Sequence, residues 1–315
     1  MLRSNGCQER DIDSKTETRR VRTLSLYESS DSSGKVSLHE LFTGNLRPVE
    51  TGKIDLAYLS YLCVRGGWQQ NLSVSPEKAA DVPREYLQTS LENDVFALTS
   101  VNHDIRKMKA VLHALARHES TVISNAALLR DIKTCENIVI SIPTLLSYLD
   151  IFTRLFLIYE QPSFNPNLRS SRRILQAPKR HFIDPSLAVA ALDATPQMLM
   201  NDLETFGFIF EALCEHDLQI YAESLDATLY HFRDDRGNEI DAVIELPDGQ
   251  WGAFEIKLGA HQIDAAADHL LKIQKIIEKE QGKSPSVLCV ICGVMGYAYQ
   301  REDGVFVVPI TGLKD

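Results

Sequence analysis

The stretch from Asn238 to Gly259 constrains the fold more than any other part of the sequence. It holds two apolar runs, Ile240-Asp241-Ala242-Val243-Ile244 and Trp251-Gly252-Ala253-Phe254-Glu255-Ile256-Lys257-Leu258, joined by a turn at Pro247-Asp248-Gly249. Such runs on either side of a Pro/Asp/Gly turn read as a β-hairpin. Asp241 interrupts the first run, and Glu255 and Lys257 interrupt the second. Glu255 and Lys257 are two apart, so they share one face of a strand. A carboxylate inside a buried strand is costly unless it finds a partner. Two carboxylates and an ammonium at one sheet end suit a divalent cation and a polarised water. Asp241 and Glu255 are hard oxygen ligands of the kind that Mg²⁺ or Mn²⁺ takes, with the carbonyl of Ile256 facing the same site. Lys257 is expected to hold the attacking water or to pair with a scissile phosphate.

A third acid is expected from an earlier helix. Glu211 lies in Phe208-Ile209-Phe210-Glu211-Ala212-Leu213, an otherwise apolar helical stretch. Reaching the hairpin site would give it the partner that its surroundings lack.

The remainder of the chain reads as follows. Residues 1–50 are rich in Ser, Thr, Arg and Asp, and Ser14 to Gly34 reads as loop. Ser37 and Glu40 have the spacing of a capping box for a short helix. Residues 51–118 are helical: Leu56, Leu59, Leu62 and Cys63 share a face, Arg65-Gly66-Gly67-Trp68 breaks the helix, Pro76 opens another, a long helix is expected from Pro83 to about Leu98, and one more from Ile105 to Arg117. In residues 119–190, Ser124 caps one helix, Pro143 opens a second, and strands are expected at 156–159 and 180–183. A helix-turn-helix followed by two strands points to a winged helix. In residues 200–315 the order is a helix to about Glu215, strands near 218–222, 227–233, 239–246 and 251–258, a helix at 262–281, a strand at 286–292 and a final hairpin. A mixed sheet between two helices is an α-β-α sandwich, so the chain as a whole is expected to be an α+β or α/β protein. Cys289 and Cys292 fall in a continuous apolar run and read as buried strand residues, not as a metal pair.

The chain has 315 residues, 44% hydrophobic and 24% charged, the profile of a soluble globular protein. It has no apolar run of about 18 residues, so no membrane span is expected, and no signal peptide is expected at the polar N-terminus. Six cysteines are too sparse for a disulfide scaffold, and a cytoplasmic setting is expected. The formal net charge of -10 argues against diffuse binding to nucleic acid. A local exception lies between Gln161 and Ile183, a span without Asp or Glu that carries Arg169, Arg172, Arg173, Lys179, Arg180 and His181. This wing is the candidate contact to a DNA backbone; the bland reading pairs it with acidic faces of the same protein.

The order of elements, with Glu211 on the first helix, Asp241 entering a strand and Glu255-Ile256-Lys257 on the next, resembles the PD-(D/E)xK nuclease-like superfamily. Ile240 stands before Asp241 where that motif has Pro. Further stretches, Leu62-Cys63-Val64-Arg65-Gly66-Gly67-Trp68, Arg169-Ser170-Ser171-Arg172-Arg173-Ile174-Leu175, Pro178 to Ala188 and Phe254 to Gly259, resemble a prokaryotic family with an AAA-type ATPase core followed by a C-terminal domain of unknown function (number 4143). The resemblance runs from about Arg20 to the end and implies a winged-helix segment and a nuclease-like terminal domain. Thr23-Leu24-Ser25-Leu26-Tyr27-Glu28 resembles the far end of the ATPase core, and Arg19, Arg20 and Arg22 lie where an arginine acts on nucleotide in the intact family. No Gly-x-x-x-x-Gly-Lys-Ser/Thr loop occurs, so the chain is expected to be a truncated member that neither binds nor hydrolyses ATP. Two functions are therefore expected of it: a metal-dependent DNA phosphodiesterase, or a catalytically inactive regulatory module that binds DNA or a protein, a second copy of itself included. In the blandest case Glu255 and Lys257 are a structural ion pair.

Overall fold

The structure, a computed structural model, describes residues 22–44, 46–166, 177–234, 236–280 and 282–315. Arg19, Arg20, Arg169, Arg172 and Arg173 lie outside the described residues. The described strands are β1 Val36–Ser37, β2 Val49–Glu50, β3 Ile158–Gln161, β4 Lys179–Phe182, β5 Thr228–Arg233, β6 Glu239–Glu245, β7 Trp251–Gly259, β8 Val287–Val294, β9 Tyr297–Gln300, β10 Phe306–Pro309 and β11 Leu313–Lys314. Seven of them form a mixed sheet in the order β2-β9-β10-β8-β7-β6-β5. The β5-β6-β7 meander is antiparallel, whereas β7 with β8 and β8 with β10 run parallel.

The sheet is buried on both faces, as its near-continuous apolar strands require. Ala242, Ile244, Phe254, Ile256, Cys289 and Ile291 pack in one core with Phe206, Ile209 and Phe210 of the Leu203–Ser224 helix. Val243, Ala253, Val290 and Cys292 pack in another with Ile263, Leu270, Ile273 and Ile277 of the Ile263–Lys279 helix. The layering is α-β-α, and Cys289 and Cys292 are buried strand residues, as their apolar run implies.

The part before the sheet is helical. The Asn125–Cys135 helix, capped by Ser124, and the Ile142–Arg154 helix, capped by Ser141, are followed by the antiparallel pair β3-β4. The helix expected from Pro83 to Leu98 runs as Asp81–Thr89, a π-helical turn Ser90–Asp94 and Val95–Thr99. The helix expected to end near Glu215 continues to Ser224, and no strand occurs at 218–222. Leu218, Tyr221 and Ala222 are buried at helical spacing, and that packing outweighs the β-leaning composition of Leu218-Gln219-Ile220-Tyr221.

The segment from Arg22 to Gly34 has no regular secondary structure but is tied to the body. Leu24 N donates to Gly67 O at 2.8 Å, Leu26 N to Asp217 Oδ2 at 2.9 Å, and Ser33 N to Thr311 O at 2.7 Å. Arg22 pairs with Glu223 at 2.7 Å, and Arg65 with Asp31 at 2.7 Å. Beyond it, β1 lies parallel to β11, and Ser37 with Glu40 forms the expected capping box. Among the described residues no helix is long and apolar enough to cross a membrane.

Candidate functional site

The site forms where the β6-β7 ladder stops. Pairing runs from Glu245↔Trp251 to Ala242↔Phe254. Beyond that pair, one residue on along β6 and two along β7, Ile256 N donates to the side chain of Asp241, at 2.7 Å from Oδ2. On the other side of β6 the register with β5 shifts: Tyr230 pairs with Val243 but Phe232 pairs with Ile240, so three steps on β6 match two on β5. This bulge contains Asp241 and re-aims its carboxylate toward β7. Bulges recur beside functional sites for that reason. Sequence alone gave no sign of it, because a bulge is a property of pairing.

Glu255 and Lys257 share a face of β7, as their spacing requires. The Lys257 ammonium lies 2.7 Å from Glu255 Oε2 and 3.1 Å from Asp241 Oδ2. His269, on the Ile263–Lys279 helix, places Nδ1 2.9 Å from Glu255 Oε1. His269 was not anticipated; its signal is a polar residue bordering the apolar stripe of Ala266, Leu270 and Ile273. Burial opposes charge on Lys257, but Asp241 and Glu255 outweigh it and hold the ammonium above the ordinary lysine range. Burial, with the charge of Asp241, pushes Glu255 above the ordinary carboxylate range, against the pull of His269 and Lys257. The hydrogen bond to Glu255 raises His269.

Glu211 is engaged elsewhere. Its Oε1 lies 2.5 Å from Lys179 Nζ, and Lys179 also reaches Glu215 Oε1 at 2.9 Å. Burial raises Glu211, with Asp241 and Glu215 adding to that and Lys179 working against it. Lys179, expected on the surface among the wing's phosphate contacts, is instead 1% exposed. The correction has a physical basis: Lys179 is the cation that offsets buried Glu215 and its half-buried neighbour Glu211. Glu211 and Glu215 are four apart, hence on one helix face, and that spacing was the available signal. His181 is also buried, with Nδ1 2.8 Å from Glu119 Oε1 and Nε2 3.1 Å from Gln161 Oε1. Arg180 bonds Glu160 at 3.0 Å across the β3-β4 pair.

Glu211 and Lys257 line a cavity of about 690 Å³, together with Leu203, Gly207, Phe208, Leu258, His261 and Gln262 among others. The structure thus brings Asp241, Glu255 and Lys257 into direct contact and sets Glu211 on the wall of the adjoining cavity. Among the described residues no group of three or more His, Cys, Asp or Glu side chains is arranged to hold a metal ion. Asp241 and Glu255 remain as a pair of hard oxygen donors. Mg²⁺ is commonly held by one or two carboxylates, with water and substrate phosphate completing its shell, so this pair fits such an ion chemically.

Residues 56–198 match a family model described as Domain of unknown function (DUF8612), and residues 206–313 match a second, Domain of unknown function (DUF4143). The second match spans Glu211, Asp241, Glu255 and Lys257 and agrees with the number named in the sequence resemblance. No curated protein matches the chain.

Proposed function

We propose that the region matching the second family model is a nuclease-like domain of the PD-(D/E)xK kind that hydrolyses DNA phosphodiesters with Mg²⁺ or Mn²⁺. The observation that carries this reading is the convergence of Asp241 and Glu255 on the ammonium of Lys257 at 3.1 and 2.7 Å. Asp241 and Glu255 would hold the cation, which when bound lowers the pKa of a water and stabilises charge on the phosphate. Asp241 is fixed by the Ile256 N–H through Oδ2, leaving Oδ1 outside that bond. His269 fixes Glu255 through Oε1. Lys257, charged and 26% exposed at its side chain, orients the nucleophile or the phosphate. Glu211, paired with Lys179, stands as the third acid on the wall of the adjoining cavity.

The helix pair Asn125–Cys135 and Ile142–Arg154 with β3-β4 is read as a winged-helix-like unit, and the segment joining β3 to β4 as its wing. Arg169, Arg172 and Arg173 are the candidate backbone contacts. The chain is read as a cytoplasmic relative of the AAA-type ATPase family. Calorimetric titration with Mn²⁺ tests the enzyme reading: binding should be measurable by about millimolar metal and vanish in Asp241→Asn and Glu255→Gln. A wild-type protein silent over that range sinks it.

A second reading is favoured by Lys179. Its ion pair engages Glu211 with a cation of the chain itself, which suits a catalytically inactive module that binds DNA or a protein, a second copy included. It expects duplex binding that weakens, with a flatter salt dependence, when Arg172 and Arg173 are both changed to Ala. A wild type that ignores duplex DNA at low salt removes it.

A further inference from the structure

We propose that the outer faces of the Ile105–Arg117 and Asn125–Cys135 helices form a contact surface for the phosphate backbone of duplex DNA. The inference deepens the DNA-binding reading and rests on it, and it places a contact on helices to which that reading gives no role.

Residues 105–134 run against the charge of the chain. They hold six Lys and Arg and two acids, Glu119 and Asp131, where the chain as a whole has a formal net charge of -10. Neither acid is left to neutralise the cations around it. Buried Glu119 lies 2.8 Å from His181 Nδ1, and Asp131 is held by Arg117 at 2.7 Å. Arg106, Lys109, His113 and Arg117 follow one another at i, i+3, i+7 and i+11, so they form one stripe along the Ile105–Arg117 helix. At 1.5 Å per residue the stripe is about 17 Å long. Its far end meets the next helix: Arg117 also bonds Glu136 at 2.7 Å, and His113 Nδ1 lies 3.5 Å from the same carboxylate. Past that seam Arg130 and Lys133, three apart, stand exposed on the outer side of the Asn125–Cys135 helix. Among the described residues Lys109, Arg130 and Lys133 have no carboxylate partner. The Arg106 side chain is 89% exposed and reaches its neighbour Asp104 at 3.8 Å.

The surroundings of these cations select the partner. On the Asn125–Cys135 helix the other exposed residues are Ala126, Thr134 and Cys135. Of the large apolar residues on the two helices only Ile105 is exposed, at 38%, and it stands at the end of the stripe away from the seam. A protein interface needs an apolar centre, and a membrane surface needs apolar side chains to insert, whereas a nucleic-acid interface is polar and strongly positive. The Ile142–Arg154 helix is built differently. It is the second of its pair, the helix that a helix-turn-helix lays in the major groove. Its exposed row is Ile142, Leu146, Asp150 and Arg154, and Arg154 lies 3.7 Å from Asp150. It offers no unpaired cation. A duplex is therefore met through its phosphates by the two preceding helices, not through its base edges, and the contact carries little sequence preference.

The test uses the full chain in metal-free buffer. Fluorescence anisotropy follows a labelled duplex of about 20 base pairs across a salt series. Lys109→Gln, Arg130→Gln and Lys133→Gln combined should weaken binding at least about tenfold at about 0.1 M salt, and should flatten the slope of log K against log salt by about 2–3. Lys35→Gln, Lys53→Gln and Lys78→Gln combined remove the same charge from exposed positions elsewhere and should weaken binding less than about threefold. Far-ultraviolet circular dichroism confirms that both variants are folded. Equal effects from the two triple variants would reduce the surface to bulk charge and overturn the proposal. So would displacement of the duplex by poly-L-glutamate at equal charge concentration, which would assign the face to an acidic protein. Binding that falls in Arg172→Ala with Arg173→Ala but not in the Lys109, Arg130 and Lys133 variant overturns the surface and keeps the DNA-binding reading. A wild type silent toward duplex at low salt removes both.

Discussion

Lys179 Nζ lies 2.5 Å from Glu211 Oε1, which joins β4 of the helical half to the long helix that backs the sheet. The same ammonium meets Glu215, whose side chain is fully buried. Burial works against the charge of Lys179, and Glu211, Glu215 and Asp241 together hold it above the ordinary lysine range. Removing one partner of a buried ion pair leaves an uncompensated charge and costs about 3–5 kcal/mol. Lys179→Met should therefore lower stability by about that amount in urea denaturation. Adding Glu211→Gln and Glu215→Gln should recover most of the loss. An unchanged midpoint in Lys179→Met would show that the cation contributes nothing to joining the two halves.

On the proposed phosphodiesterase reading, Lys257, 3.1 and 2.7 Å from Asp241 and Glu255, would compete with a bound cation for them. Lys257→Ala should tighten Mn²⁺ binding by about tenfold, or about 1.4 kcal/mol, well within the ~4 kcal/mol that a unit charge exerts at 4 Å near a protein surface. Phosphodiester cleavage should fall by about 10²–10³, as when one group stabilising transition-state charge is lost. Calorimetry and a cleavage assay on the same samples separate the two effects. Weaker metal binding in Lys257→Ala would mean that the lysine supports the cation site instead of occupying it.

How far the site was legible follows from what each residue needs. Asp241, Glu255 and Lys257 interrupt apolar strand runs, and a polar residue in such a run advertises itself. Strand limits of 239–245 and 251–259 lie close to those expected from the runs alone. Glu211 stood out on its helix for the same reason, but its partner did not. Lys179 sits in a basic stretch, and composition there points outward, whereas only the folded chain shows a lysine buried against two acids. The bulge at Asp241 and the contact of His269 with Glu255 depend on register and helix docking, which no single stretch encodes. The supposed strand at 218–222 failed for the converse reason: local β propensity yielded to the burial of Leu218, Tyr221 and Ala222.

His231 on β5 gives the fold an acid-sensitive element. Burial, with the nearby charges of Lys179 and His181, lowers its pKa from 6.5 to about 3. The unfolded chain takes up this proton near pH 6.5, so between these values the unfolded state binds more protons than the folded one. Stability is thus intact above about pH 6.5 and declines as pH falls toward the folded pKa. At about pH 5 the loss from this group is about 2 kcal/mol. His231→Phe removes the titration, and its urea midpoint should drop less than that of wild type between about pH 7 and pH 5. Equal drops in the two proteins would assign the acid sensitivity to other groups.

Gly67 lets the Arg22–Gly34 segment cross the end of the Leu56–Arg65 helix. A Cβ at Gly67 would stand 2.0 Å from Leu24 O and 2.6 Å from Leu24 N, both backbone atoms, so the segment itself would have to shift. That shift would break the bond from Leu24 N to Gly67 O and disturb its neighbours, Thr23 Oγ1 with His216 Nε2 at 2.8 Å and Leu26 N with Asp217 Oδ2 at 2.9 Å. A lost buried hydrogen bond together with overpacking costs about 2–4 kcal/mol. Gly67→Ala should therefore lower stability by about that amount and speed amide exchange across Arg22–Gly34, because Arg65 with Asp31 and Arg22 with Glu223 would be left to hold the segment. A change under about 0.5 kcal/mol, the usual size of a surface substitution, would mean that the segment yields freely at Leu24 and is anchored by its ion pairs instead.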